Sequence, residues 1–263
     1  MLPNATETPL LHERDDRGVH RVALNTPRNF NVLSEAMLEA LQQALGAVAA
    51  DNQARVLVIA AEGKAFCAGH DLREMRAHPE IAYHQALFAR CTRVMMSIRR
   101  LDVPVVARVQ GLATAAGCQL VAQCDLAVAA SEATFGVNGI DVGLFCATPG
   151  VALSRNMLPK QAMEMLLTGD FISAHEAKAR GLVNRVAEAG QLDAEVERLV
   201  ERLLSKPREA LAMGKALFYR QLETGMESAY QLAGQSMACN MVHPVAQEGV
   251  QAFIDKREPS WRM

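Results

Sequence analysis

Lys64-Ala65-Phe66-Cys67-Ala68-Gly69-His70-Asp71-Leu72 and Gly111-Leu112-Ala113-Thr114-Ala115-Ala116-Gly117-Cys118-Gln119 are two small-residue loops of one design. Each follows a short apolar run, RVLVIA at 55–60 and PVVARV at 104–109. Such continuous runs are the mark of strands covered on both faces. Each loop then opens a helix, the first near Asp71 and the second at Cys118. The first turn of a helix carries backbone N–H groups with no partner, which can receive a developing negative charge. Two such loops side by side would aim two N–H groups at one carbonyl oxygen. Either loop alone is read more simply as tight Gly/Ala packing; the pair, at this separation, carries the argument.

Outward from these loops the same alternation continues. VHRVAL at 19–24 reads as a strand, and Pro27 to Asn31 as a loop. Ser34 caps a helix to about Ala49, with Leu38, Leu41 and Leu45 on one face. A helix over 83–99 ends on Arg99 and Arg100, and a further strand covers Leu126 to Ala130. Helices follow near 160–167, 174–180, 192–222 with a break near Pro207, 226–240 and 244–256. Strand–helix units to about residue 190, then helices alone, imply an α/β core over 1–190 and a helical region over 191–263.

Composition narrows the function classes. The 263 residues are 50% hydrophobic and only 5% aromatic, with a formal net charge of −2. That excludes a broad basic field or an aromatic platform for nucleic acid. No apolar run reaches the length of a membrane span, and the polar start, Met1 to Asp16, does not read as a targeting segment. The six cysteines form no C-x-x-C pair and read as small, buried, reduced thiols, so no metal site and a cytoplasmic location are expected.

AFCAGHDLREM (65–75) resembles the first active-site loop of the crotonase (enoyl-CoA hydratase/isomerase) family. VQGLATAAGCQLVAQCDLAVA (109–129) resembles the second, MLLTGDFISAHEAKARGLVNRV (165–186) the segment after the active site, and EGVQAFIDKREPSW (248–261) the family C-terminus. The resemblance covers nearly the whole chain. It implies a spiral of ββα units with a C-terminal helical trimerisation region. A coenzyme A thioester would bind as substrate, with no permanently bound cofactor. The backbone N–H groups of His70 and Ala116 would form an oxyanion hole, and Ala68, Asp71 and Leu72 would line the pantetheine and thioester. Arg28 would lie near the CoA nucleotide, and Lys256, with Phe253 packed nearby, would meet its phosphates from a neighbouring subunit. Leu199, Leu203, Leu204, Leu211 and Leu217 in the helical region fit the implied homotrimer or dimer of trimers.

The chain departs from the family pattern where hydratases carry two Glu. Gln119 stands at the first position, and Gly139, after Phe135-Gly136-Val137-Asn138, at the second. Hydration needs a base to activate water and an acid to protonate the α-carbon; Gln can orient water but exchanges no proton. Three replacements present themselves. Asp141, if in a strand, shares a face with Gly139. Cys146 lies in a loop that faces substrate in this family. The His70 imidazole titrates near neutral pH. Three readings stay open: a hydratase or isomerase with a rearranged acid/base set, another enolate reaction such as decarboxylation or thioester hydrolysis, or a non-catalytic acyl-CoA binder. The Gly-His-Asp of the first loop is similar to that of methylmalonyl-CoA decarboxylases, whose reaction needs no base.

Overall fold

The computed structural model describes residues 8–262, so the head of the polar segment Met1 to Asp16 lies outside the described residues. In chain order the elements are β1 (Leu10–Arg14), β2 (Val19–Leu24), α1 (Glu35–Ala50), β3 (Val56–Ala61), β4 (Ala65–Cys67), α2 (Leu72–Ala77) and α3 (Ile81–Arg100). There follow β5 (Val105–Val109), β6 (Leu112–Thr114), α4 (Ala116–Gln123), β7 (Leu126–Ala130), β8 (Thr134–Gly136), α5 (Ala147–Leu153) and α6 (Pro159–Thr168). The chain ends with β9 (Ile172–Ser173), α7 (Ala174–Ala179), β10 (Arg185–Ala187), α8 (Leu192–Leu204), α9 (Arg208–Gln221), α10 (Met226–Met241) and α11 (Pro244–Ile254).

Two sheets divide the strands. The larger runs β1-β2-β3-β5-β7-β10, the smaller β4-β6-β8-β9. Three successive pairs, β3/β4, β5/β6 and β7/β8, each give their first strand to the large sheet and their second to the small one. Within each sheet these strands pair in parallel. This is the spiral of ββα units implied by the sequence. The central strands β3 and β5 of the large sheet bury both faces, which explains their unbroken apolar runs.

The small-sheet strands are two or three residues long, too short to leave a period-two pattern, so the two loops read as coil in sequence contain β4 and β6. Glycine lets them approach. A Cβ on Gly111 would sit 2.0 Å from the Lys64 carbonyl oxygen, and one on Gly117 2.1 Å from that of Cys67. Any other residue at either site pushes the loops apart.

Helix α1 begins where Ser34 accepts a hydrogen bond from the Met37 N–H. Its Leu38 and Leu41 are fully buried, and truncating either to Ala costs about 2–5 kcal/mol. On the opposite face of the large sheet, α8 packs Leu192, Val196, Leu199 and Val200 against Val19, Val56, Val58, Val106 and Val128. Helix α8 therefore packs on the large sheet as part of the second core cluster.

Helix α9 is tied back by a polar cluster around Asp125 and by Arg208, whose Nε donates to the Ala54 carbonyl at 3.0 Å. Lys215 Nζ bonds the Asp125 carboxylate at 2.7 Å and the Ile98 and Val103 carbonyls at 3.0 and 2.9 Å. The Tyr219 hydroxyl donates to the other Asp125 oxygen at 2.7 Å, and the Arg99 guanidinium lies 4.1 Å from the Tyr219 ring centre. Of the leucines read as fitting an oligomer, Leu199 is buried, Leu203 and Leu204 pack on the second core cluster, and Leu211 and Leu217 are half-buried. The uncovered apolar face is instead Met226, Tyr230, Met237 and Met241 of α10, with Phe253 and Ile254 of α11. No helix among the described residues is long and apolar enough to cross a membrane. All six cysteines are free; five are buried as expected, whereas Cys239 is exposed.

Candidate active site

A cavity of about 400 Å³ opens between the two small-residue loops, α3 and the 138–149 segment. Met75, Phe88, Val142, Leu144 and Phe145 make its apolar wall. The size and lining suit a small, largely apolar group. Leu72, Val142, Leu144 and Phe145 are also partly exposed, so the mouth is apolar too.

At the cavity floor the loops touch. A Cβ on Gly69, which has φ of +89°, would stand 2.9 Å from the Ala115 Cβ and 3.3 Å from the Ala116 nitrogen. Ala116 is the first residue of α4, and a helix supplies no acceptor for that N–H. Among the described residues, neither the His70 nor the Ala116 N–H donates to a backbone or side-chain acceptor, although neighbouring groups do. Leu33 N–H donates to the Gly69 carbonyl, Ala68 N–H to Phe30, and Ala115 N–H to Gly136. Ala115 itself holds φ 50° and ψ −120°, a conformation that side-chain-bearing residues rarely adopt. Backbone strain is thus stored where the loops meet.

The His70 ring is clamped. Its Nδ1 lies 3.3 Å from the Leu33 carbonyl oxygen, and its ring makes a T-shaped contact with Phe88, ring centres 5.6 Å apart. Burial lowers its pKa, while the Leu33 contact opposes the shift. Nε2 is shielded from solvent and has no partner. Cys146 lines the cavity opposite, where burial raises its thiol pKa and keeps it protonated. It is therefore no ready thiolate.

The remaining sequence candidates divide. Ala68 and Leu72 line the cavity. Asp71 does not; its carboxylate caps α2, accepting from the N–H groups of Arg73 and Glu74. The strand expected at Asp141 is a 3₁₀ turn, Asn138–Val142, which removes the shared face with Gly139. Asp141 is exposed, and its carboxylate crowds Gly169 outside the cavity. Gln119 is buried in α4 behind the lining, with Oε1 unpartnered. Arg28, on a 3₁₀ turn, and Lys256, after α11, are exposed and do not line the cavity within this subunit, nor does Phe253. Two polar groups escaped the sequence reading: Thr114, whose hydroxyl donates to Asn138 Oδ1 at 2.7 Å on the cavity wall. Only the pairing of β6 with β8 brings them together.

A family model described as enoyl-CoA hydratase/isomerase matches residues 14–263. The chain belongs to the enoyl-CoA hydratase/isomerase family. It is 45% identical to the rat protein named enoyl-CoA hydratase domain-containing protein 3, mitochondrial, over 97% of this chain and 85% of the relative. The crystal structure of a Mycobacterium smegmatis enoyl-CoA hydratase superimposes with a TM-score of 0.95 at 62% identity, covering 97% of this chain and 99% of that one. The crystal structure of human enoyl-CoA hydratase domain-containing protein 3 gives 0.92 at 45% identity over 96% of this chain and 100% of that one. The expected cytoplasmic location does not stand, because the rat, mouse, frog and human relatives are named as mitochondrial proteins.

Proposed function

We propose that the cavity takes the acyl thioester of coenzyme A and that the N–H groups of His70 and Ala116 receive the charge developing on its oxygen. The observation that carries this is the pair of acceptor-free N–H groups where two glycine-pinned loops meet under an apolar cavity. Donors fixed in advance cost no reorganisation when the charge appears, and each is worth ~10²–10³-fold in rate. Ala68 and Leu72 flank the thioester. The pantetheine leads outward toward Arg28 and toward Lys256 and Phe253 of a neighbouring subunit. Coenzyme A enters as part of the substrate, not as a resident cofactor. The family's enolate chemistry is then the activity, in a homotrimer or a dimer of trimers.

The acid/base set is not that of an ordinary hydratase. No carboxylate is among the residues lining the cavity. That observation favours a second reading, in which the enolate arises by decarboxylation and no base is needed. The test is incubation with crotonyl-CoA, a 3-hydroxyacyl-CoA and methylmalonyl-CoA, followed by mass analysis. Alongside it, the ¹³C resonance of a labelled thioester carbonyl is followed on binding. A downfield carbonyl shift supports the two-donor site. A carbonyl resonance unchanged at saturation overturns it.

A further inference from the structure

We propose that the His70 side chain, through Nε2, is the group that moves the α-proton of the bound thioester. This rests on the thioester reading above and adds the residue that supplies the missing proton chemistry.

Among the residues lining the cavity only His70 and Cys146 can titrate. Cys146 is held as the neutral thiol by burial, which leaves the imidazole. Its tautomer follows from one contact. The Leu33 carbonyl can only accept, so Nδ1 carries the proton and the neutral ring keeps its lone pair on Nε2. That nitrogen is buried without a partner. Burial also favours the uncharged ring, so the base form is the one present near neutral pH. The Phe88 contact and the Leu33 bond hold the ring in one orientation. The residue that carries this imidazole also lines the cavity.

The step balances without a co-reactant. The Nε2 lone pair takes a proton from the α-carbon. The C–H electron pair becomes the enolate double bond, and the carbonyl π pair moves onto the oxygen between the His70 and Ala116 N–H groups. The imidazolium returns its proton to the α-carbon; in D₂O its N–H exchanges, and the acyl group leaves deuterated.

The experiment incubates the full-length protein with butyryl-CoA in D₂O and follows α-deuterium by mass spectrometry, with calorimetry in parallel. Wild type is expected to exchange. His70→Gln and His70→Ala are expected to lose ~10²–10⁴-fold in exchange while binding within a few-fold of wild type, since both keep the backbone N–H. Added imidazole should restore exchange in His70→Ala and not in His70→Gln, where the side chain still fills the space. Wild-type binding without exchange, or variants exchanging at the wild-type rate, overturns the role of His70 and leaves the thioester reading intact. If wild type does not bind butyryl-CoA, the thioester reading itself falls and takes this one with it.

Discussion

Gly139 and Cys146 approach so closely that a Cβ on Gly139 would stand 2.8 Å from the Cys146 sulfur and 2.4 Å from the Leu144 carbonyl oxygen. The absence of a carboxylate at 139 is therefore built into the backbone path of the 144–146 segment. Restoring the family's pair by Gln119→Glu with Gly139→Glu is expected to yield no hydratase. Gly139→Ala alone should cost about 1–3 kcal/mol in denaturant unfolding, as overpacking does, and Gly139→Glu more. The parent should hydrate crotonyl-CoA very slowly. A folded double variant with ordinary hydratase turnover would refute this account.

Ala115 supports an unusual expectation, because replacing Ala by Gly usually destabilises. Here φ is 50° and ψ −120°, and glycine has no Cβ to strain. Strain of this kind costs about 1–3 kcal/mol, more than the extra freedom glycine has in the unfolded chain. Ala115→Gly should raise stability by about 1 kcal/mol, read from the urea midpoint at unchanged slope. Ala115→Val should lower it.

The buried Asp125–Lys215 pair ties α9 to the core. Asp125→Ala would strand the Lys215 ammonium, whose pKa burial already lowers and Asp125 supports, and should cost about 3–5 kcal/mol. Lys215→Met should cost less, since Asp125 keeps the Val105 N–H and the Tyr219 hydroxyl. Amide exchange should rise across α9 to α11 before the sheet in the Asp125 variant. Equal protection in both regions would show that the tail does not hang on this cluster.

The apolar face of α10 should be the subunit contact. Tyr230 and Met237, 75% and 69% exposed, are too large and too many with their neighbours to face water. Light scattering should give a trimer or a dimer of trimers, and Tyr230→Glu with Met237→Glu should shift it toward monomer. A wild-type monomer at micromolar concentration would end the assignment.

Arg28 and Lys256 have no side-chain partner among the described residues. Each should contribute about 0.5–1 kcal/mol to acyl-CoA binding at low salt, less as salt screens it. Calorimetry of Arg28→Ala and Lys256→Ala should show a few-fold weaker binding. Unchanged affinity in both would move the nucleotide elsewhere.

Strands β2, β3, β5 and β7 of the large sheet, the capped helix from Ser34 and the two loops were legible in the sequence, because each rests on local periodicity or on short-range turn chemistry, whereas the edge strands β1 and β10 were not. The sequence also pointed to His70, Ala68, Leu72 and Cys146, all of which line one cavity. Tertiary structure alone decided the rest. Strands of two or three residues exist only where a parallel neighbour completes them, so β4, β6 and β8 left no pattern of their own. The partners of a polar side chain are likewise set by the fold. Asp71 turned to its own helix, Asp141 turned out of the cavity, and Thr114 met Asn138 across two strands. The Leu33 carbonyl, far from His70 in the chain, chose which imidazole nitrogen keeps its lone pair.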